Sequence, residues 1–222
     1  MELLKNGMGL SVVVFFPLIS AFIITLIPKA QEQLIKGFAL VSSLITFVLS
    51  AVLLFQFDFS SADKLQLGNK ISWIKSINAN YEIGIDGISL PLLVLSTFIT
   101  VLAIIYSIEH LPEPKSPKGF LALILVLETG MNGTFVALDL ILFFVFFEIV
   151  LLPMYFMIGI WGDKTVRTVS GFKNQIETRL YASIKFFVFT LLGSAFMLLG
   201  FLGLYYRGNK TFSIPELIEL GT

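Results

Sequence analysis

Six apolar runs, each about long enough to cross the hydrocarbon of a bilayer, leave this chain little choice but to fold in a membrane. A spanning helix needs about 20 largely apolar residues. Runs of that size fall at 8–27, 37–57, 87–108, 119–138, 139–160 and 181–206. Charge points the same way: 14% of residues are charged and 56% hydrophobic, whereas a soluble domain carries about a quarter charged. The expected fold is all-α: a polytopic transmembrane bundle of about six helices in a single domain over residues 1–222. The first run, Met8 to Ile27, is as long as a span, and Ile27-Pro28-Lys29 is a poor cleavage site, so it reads as a retained helix.

The long polar stretch falls between the second and third runs, from Asp58 to Asp86. Alternation around Lys70-Ile71-Ser72-Trp73-Ile74 predicts a short hairpin on the membrane surface, with Trp73 and Tyr81 suited to the interface. Loops 28–36, 109–118 and 162–180 hold Lys29, Lys36, Lys115, Lys118, Lys164, Arg167, Lys173 and Arg179. The opposite set is the N-terminus, 58–86, the turn near Asp139 and the tail, where acids outnumber the cations. The positive-inside rule then predicts both termini extracytoplasmic, with 58–86 an extracytoplasmic loop and 162–180 in the cytoplasm.

Several function classes drop out. Formal net charge is +0, so nothing favours nucleic acid. With no Cys and a single His, His110, the sequence offers no thiolate or paired-histidine ligands for a metal, haem or iron–sulfur cluster. Redox cofactors, if the system has them, are expected on other subunits.

The informative residues are ionisable groups inside the apolar runs, where burying one costs at least ~2.5–3.5 kcal/mol. Glu148 lies among four phenylalanines in Phe143-Phe144-Val145-Phe146-Phe147-Glu148, roughly 14 Å into its helix at 1.5 Å per residue. Intramembrane carboxyls mostly mark ion or proton paths; the alternative is a structural glutamate bonded to a neighbouring helix. Pro153 removes the N–H that would bond the Ile149 carbonyl, freeing a polar group beside Glu148; a plain packing kink explains it equally well. Glu128 lies as far before the turn near 138 as Glu148 lies after it, so the two share a depth. If they also share a face they repel, and Glu128 becomes a candidate relay; otherwise it is a satisfied structural glutamate. Lys185 is about 6 Å into its helix, close enough for its stem to snorkel to the surface. Asp86 precedes an apolar helix with Pro91 just inside it, which is an N-cap pattern. Gly193, Gly200 and Gly203 suggest close helix packing.

The stretches Tyr81-Glu82-Ile83-Gly84-Ile85-Asp86-Gly87-Ile88-Ser89, Ala137-Leu138-Asp139-Leu140 running on to Glu148, Leu152-Pro153-Met154-Tyr155-Phe156, Ile160-Trp161-Gly162 and Ala182 to Thr190 with Gly193-Ser194 resemble the proton-translocating subunit M family of bacterial NADH–quinone oxidoreductase. That family corresponds to subunit 4 of mitochondrial complex I. The Mrp-type cation/proton antiporters share the ancestry, though the Pro-Met-Tyr-Phe and Ile-Trp-Gly pieces favour subunit M. The resemblance implies a translocase subunit with no redox centre of its own, FMN and iron–sulfur clusters residing on other subunits. It implies a place in the bacterial inner membrane beside other membrane-arm subunits, with protons and the lipid bilayer as its partners. It assigns the proton path to Glu148 and carries Lys185 over as a possible member, while Glu128 is outside the transferred pattern. Family members have about fourteen helices, with a partner lysine on the seventh, so this sequence is expected to be a front portion whose remainder is missing. A Mrp-type antiporter subunit and a non-pumping structural membrane fragment are the alternatives.

Overall fold

The computed structural model describes residues 7–167 and 176–221. Six helices long and apolar enough to span a membrane form a bundle: α1 (Met8–Leu26), α2 (Glu32–Gln56), α3 (Ser89–Glu109), α4 (Pro117–Val136), α5 (Leu140–Trp161) and α6 (Thr178–Arg207). A short α7 (Ile214–Glu219) follows. The chain is all-α in its spans. Helix α2 begins five residues before the expected 37 because Glu32 to Lys36 continue the helix beyond the apolar run. Glu32 in that first turn complements the helix dipole.

Helix α4 is the hub, packing on α1, α2, α3 and α5, while α6 rests on α5. The hub is possible because α4 carries glycines where α5 crosses. A Cβ at Gly133 would strike the Phe146 ring, and one at Gly130 would lie 2.6 Å from Val150 Cγ2. Among the described residues the glycines in closest helix contact are therefore Gly130 and Gly133, which the sequence reading did not single out. At Gly193, Gly200 and Gly203 an added Cβ meets nothing within 4 Å among the described residues. Those glycines lie on α6, most of whose surface this part of the chain leaves uncovered.

At one end of the bundle an antiparallel hairpin of β1 (Gln66–Ile74) and β2 (Ala79–Ile85) packs against the helix tips. It is longer than expected and does more than lie on a surface. β1 presents Ile71 and Trp73 outward, while β2 is largely buried. Leu138 N–H donates to the Glu82 carbonyl at 2.8 Å, stitching β2 to the turn between α4 and α5. Asp86 caps the entry to α3, as its pattern suggested: its Oδ1 accepts from the N–H groups of Ile88 and Ser89, and Ser89 Oγ accepts from Asp86 N–H. These backbone donors outweigh partial burial and hold its carboxyl below the usual carboxylate range.

The opposite end gathers loops 28–31, 110–116 and 162–177, of which 168–175 lie outside the described residues. A two-residue pair, β3 (Val166–Arg167) with β4 (Ile176–Glu177), closes the last loop. Each helix that ends here receives a cation on a terminal carbonyl. Lys118 donates to the Ile27 carbonyl, Lys36 to Ile108 and Arg179 to Ile160, at 2.7, 3.1 and 2.6 Å. A helix C-terminus attracts positive charge, so part of the Lys/Arg excess at this end has a local structural cause in addition to any topological one.

Candidate functional site

Glu148 sits a little over two turns into α5, whose start is fixed by Asp139. The Asp139 Oδ1 accepts from the Ile141 and Leu142 N–H groups as the α5 N-cap, and its Oδ2 accepts from Asn80 N–H of β2 at 2.8 Å. Leu140 N–H donates to the Phe212 carbonyl, and Ile214 N–H to the Leu138 carbonyl, tying the segment after α6 into the same knot. Burial pushes the Asp139 carboxyl above its ordinary value, opposed by those three N–H donors and by Lys70. At the rim, Lys70 lies 2.7 Å from Glu216 and 3.2 Å from Glu82. Glu216 is held below the usual carboxylate range by hydrogen bonds from Lys70 and Thr211. Partial burial pulls Lys70 down, but Glu216 and Glu82 leave its ammonium above its ordinary value. Sequence reasoning gave Asp139 no role beyond marking the turn. A lone aspartate directly before an apolar run was the available signal. Replacing Asp139 by Ala is expected to cost about 2 kcal/mol, the upper range for a lost cap. Thermal melts of the solubilised assembly check this, and Asp139→Asn, which can keep the Oδ1 cap but sets an amide NH2 against the Asn80 N–H, should recover only part of it.

The carboxyls of Glu128 and Glu148 do not share a face, and the register of α4 on α5, Gly130 with Val150 and Gly133 with Phe146, sets Glu128 nearer the level of Leu151 than of Glu148. The α4 surface that meets α5 is marked by Gly130 and Gly133, and the α5 surface that meets α4 by Phe146 and Val150. At about 100° per residue, Glu128 lies roughly 160° from Gly130 and 140° from Gly133, on opposite sides. By the same count Glu148 is roughly 160° from both Phe146 and Val150. Each carboxyl therefore faces away from the α4–α5 seam. Glu128 is turned into the α1–α4 interior with 0% exposure, and neither oxygen has a hydrogen-bond partner among the described residues. The hydroxyl of the neighbouring Thr129 donates to the Leu125 carbonyl. Glu148 is partly buried, its Oε1 enclosed and likewise unpartnered.

On the α6 side, Gly159 with Ser183, Tyr155 with Phe187 and Phe143 with Phe201 set an antiparallel register. At that register Glu148 is level with buried Ser194. Lys185 falls level with Met157, about 13 Å along the axis from Glu148. It is exposed, and its ammonium stands 5.5 Å from the Tyr181 ring centroid. The structure thus sets Glu148 and Lys185 on facing helices at different depths. Nearby, an apolar cavity of about 220 Å³ lies between α4, α5 and α6, lined by Thr134, Phe147, Val150, Phe186 and Thr190 among others. Among the described residues no three His, Asp or Glu side chains gather into a metal-holding group.

A six-span bundle with carboxyls at mid-depth, closed at one end by a hairpin, defines a polytopic membrane subunit of the antiporter-like kind. It superposes on a chain of respiratory complex I from Thermus thermophilus with TM-score 0.74 at 22% identity, covering 95% of this chain and 39% of that one. A chain of the Mrp complex from a Dietzia species gives TM-score 0.70 at 17% identity, covering 94% of this chain and 20% of that one. The sequence model described as NADH-ubiquinone oxidoreductase chain 4, amino terminus, matches residues 12–134. That described as NADH:quinone oxidoreductase/Mrp antiporter, TM, matches 137–221. This chain belongs to the NADH-ubiquinone oxidoreductase chain 4 family. Among its relatives, F(420)H(2) dehydrogenase subunit M of Methanosarcina mazei is 36% identical over 213 residues, 94% of this chain and 39% of that protein. NADH-quinone oxidoreductase subunit M of Rickettsia prowazekii is 33% identical over 214 residues, 95% of this chain and 40% of that protein. The chain thus spans about two-fifths of the length of these relatives.

Proposed function

We propose that this chain supplies the first six spans of a membrane-arm subunit that moves protons in a quinone oxidoreductase, with Glu148 on the proton path. The observation that carries this reading is a partly buried carboxyl at mid-span whose Oε1 is enclosed yet without a hydrogen-bond partner among the described residues. A group with no structural bond to satisfy is poorly explained as packing, and intramembrane carboxyls of this kind serve ion and proton paths. Lys185 is a subsidiary candidate nearer the cation-rich end, where its ammonium could exchange with water. The named relatives differ in electron donor, F(420)H(2) in one and NADH in another. That variety fits a subunit which handles protons while flavin and iron–sulfur chemistry take place on others. The assignment is tested in membrane vesicles carrying the full-length subunit in its complex. Oxidation of the donor with quinone should build a pH gradient that Glu148→Gln diminishes.

The Mrp-type antiporter reading has two observations behind it, the description of the family model over 137–221, which names Mrp antiporters beside the oxidoreductases, and the fold shared with the Dietzia complex. It requires a pH gradient to form on addition of sodium or potassium without any electron donor. A cation-driven gradient in donor-free vesicles would replace the oxidoreductase reading.

The membrane proposed is the bacterial inner membrane, with both termini extracytoplasmic and the 162–177 end in the cytoplasm. Cysteine labelling is clean because the native chain has no Cys. Lys64→Cys and Lys164→Cys place thiols at exposed positions on opposite ends. In intact cells an impermeant maleimide is expected to label the first and spare the second, and the reverse pattern inverts the topology.

A further inference from the structure

Glu128 is the group that the proton path through Glu148 leaves unused. It is 0% exposed, both its oxygens lack a hydrogen-bond partner among the described residues, and it faces α1 to α3 rather than α5. The faces that α2 and α3 bury in the same interior are polar for a bundle. Thr46, Ser50, Thr97 and Thr100 are all buried on α2 and α3. The Thr46 and Thr100 hydroxyls donate to the Ser42 and Ser96 carbonyls of their own helices, while Ser50 and Thr97 bond each other across α2 and α3 at 2.8 Å. Thr46 and Thr100 spend their proton there and keep their lone pairs, so they accept hydrogen bonds more readily than they donate them. Such a lining suits a carboxyl that brings its own proton.

A second feature lies one turn away. Pro17 interrupts α1 and has no N–H to bond the Val13 carbonyl. Asn132 of α4 takes over that carbonyl through Nδ2 at 3.4 Å, and its Oδ1 accepts from Ser96 Oγ of α3, also at 3.4 Å. Asn132 and Glu128 are four residues apart and share a face of α4. The pairs Asn132 with Val13 and Lys118 with Ile27 fix the antiparallel register of α1 and α4, which sets Glu128 level with Pro17. One turn along from Ser96, Thr100 arrives at the same level. The buried faces of α1, α2 and α3 carry no ionisable side chain among the described residues, and Glu148 on α5 is turned away.

We propose that Glu128 is a second protonation site, held inside α1–α4 and exchanging its proton past the Asn132–Val13 node rather than with Glu148. The node is a proline-opened carbonyl held by two long hydrogen bonds, which gives water a polar step between the hairpin end and the carboxyl. Asn132 is a positioning residue of this site. The proposal extends the proton-translocating reading and rests on it for its purpose, but the site itself is testable apart from pumping.

Dicyclohexylcarbodiimide enters bilayers and adds to protonated carboxyls, and peptide mass spectrometry locates the adduct. In the assembled complex in native membranes, Glu128 is expected to be modified, with labelling that declines as pH rises. The profile should be unchanged in Glu148→Gln, because the carboxyls face opposite ways. Asn132→Leu should move the midpoint by about one pH unit while leaving labelling at Glu148 as it was. If that variant fails to assemble, Ser96→Ala removes a single contact of the node and is expected to move the midpoint in the same direction. Absence of an adduct at Glu128 at every pH, a profile that moves when Glu148 is replaced, or protection by sodium at constant pH would each overturn the proposal. The last would assign the site to a cation. Normal pumping by Glu148→Gln would sink the proton-path reading without touching the labelling result, so the two failures are distinguishable.

Discussion

Glu148→Gln in the full-length protein is expected to leave the assembly intact and to cut donor-driven proton pumping by roughly tenfold or more, the lower end of what losing a proton-transfer group costs being nearer a hundredfold. Glutamine matches glutamate in size and keeps one carbonyl acceptor, so the packing of α5 against α4 and α6 has no reason to change. No hydrogen bond is lost at Oε1, because none is made there. What disappears is the ability to bind and release a proton at the level of Ser194, at mid-depth of the bundle. Acidification of vesicles, followed by a fluorescent amine, reads the loss directly, and blue-native electrophoresis reads assembly. Glu148→Asp offers a graded control: the carboxyl remains but its reach is shorter by one methylene, so pumping should fall between wild type and glutamine. Pumping at the wild-type rate with glutamine in place would mean that Glu148 is a packed side chain and nothing more. Loss of the complex itself would assign it a structural role.

The spans were legible in the sequence because a bilayer imposes a one-dimensional demand, a length of apolar residues, that needs no knowledge of neighbours. Depth was legible only to within about a turn, since equal spacing from the turn near 138 put Glu128 level with Glu148, whereas the α4–α5 contacts set it nearer Leu151. Direction around the helix was not read, although its signal was present in α4. Gly130 and Gly133 mark the face that meets α5, and Glu128 lies opposite both. Attention to the glycines of α6 missed this, because glycine in a membrane helix marks close packing only where a partner crosses. The Asn132–Val13 node could not be read at all. It joins residues 119 apart, and only the register of α1 on α4 reveals that the carbonyl freed by Pro17 meets an amide. The hairpin was half legible: alternation in β1 exposed it, whereas β2 is buried at most positions and shows no alternation to find. The charge asymmetry was legible as counts, but the counts could not disclose that Lys36, Lys118 and Arg179 serve helix ends.

Gly133→Leu is expected to be the most damaging single change in the bundle, lowering the amount of assembled subunit severalfold or removing it. The α4–α5 contact brings the Gly133 backbone against the ring of Phe146, and even a Cβ there would strike that ring. Phe146 has nowhere to retreat: it is 2% exposed and packed in the cluster of Leu10, Val14, Leu93 and Leu142 that joins α1, α3 and α5 below the hairpin. Inserting a side chain into such a seam typically costs about 1–3 kcal/mol when neighbours can shift. Here the neighbour is a rigid ring, so the helices must separate, and in a bilayer close packing is a main force that holds them. Gly37→Leu is the matched control, since a Cβ at Gly37 meets nothing within 4 Å and leucine is the better helix former. The diagnostic variant is the pair Gly133→Ala with Phe146→Leu. Either change alone should lower the melting temperature of the solubilised assembly, one by overfilling the seam and the other by hollowing it. Together they should cost less than the sum of the two, because they act on the same volume. Strict additivity would mean that Gly133 and Phe146 do not share the seam, and that the two helices approach each other at some other point.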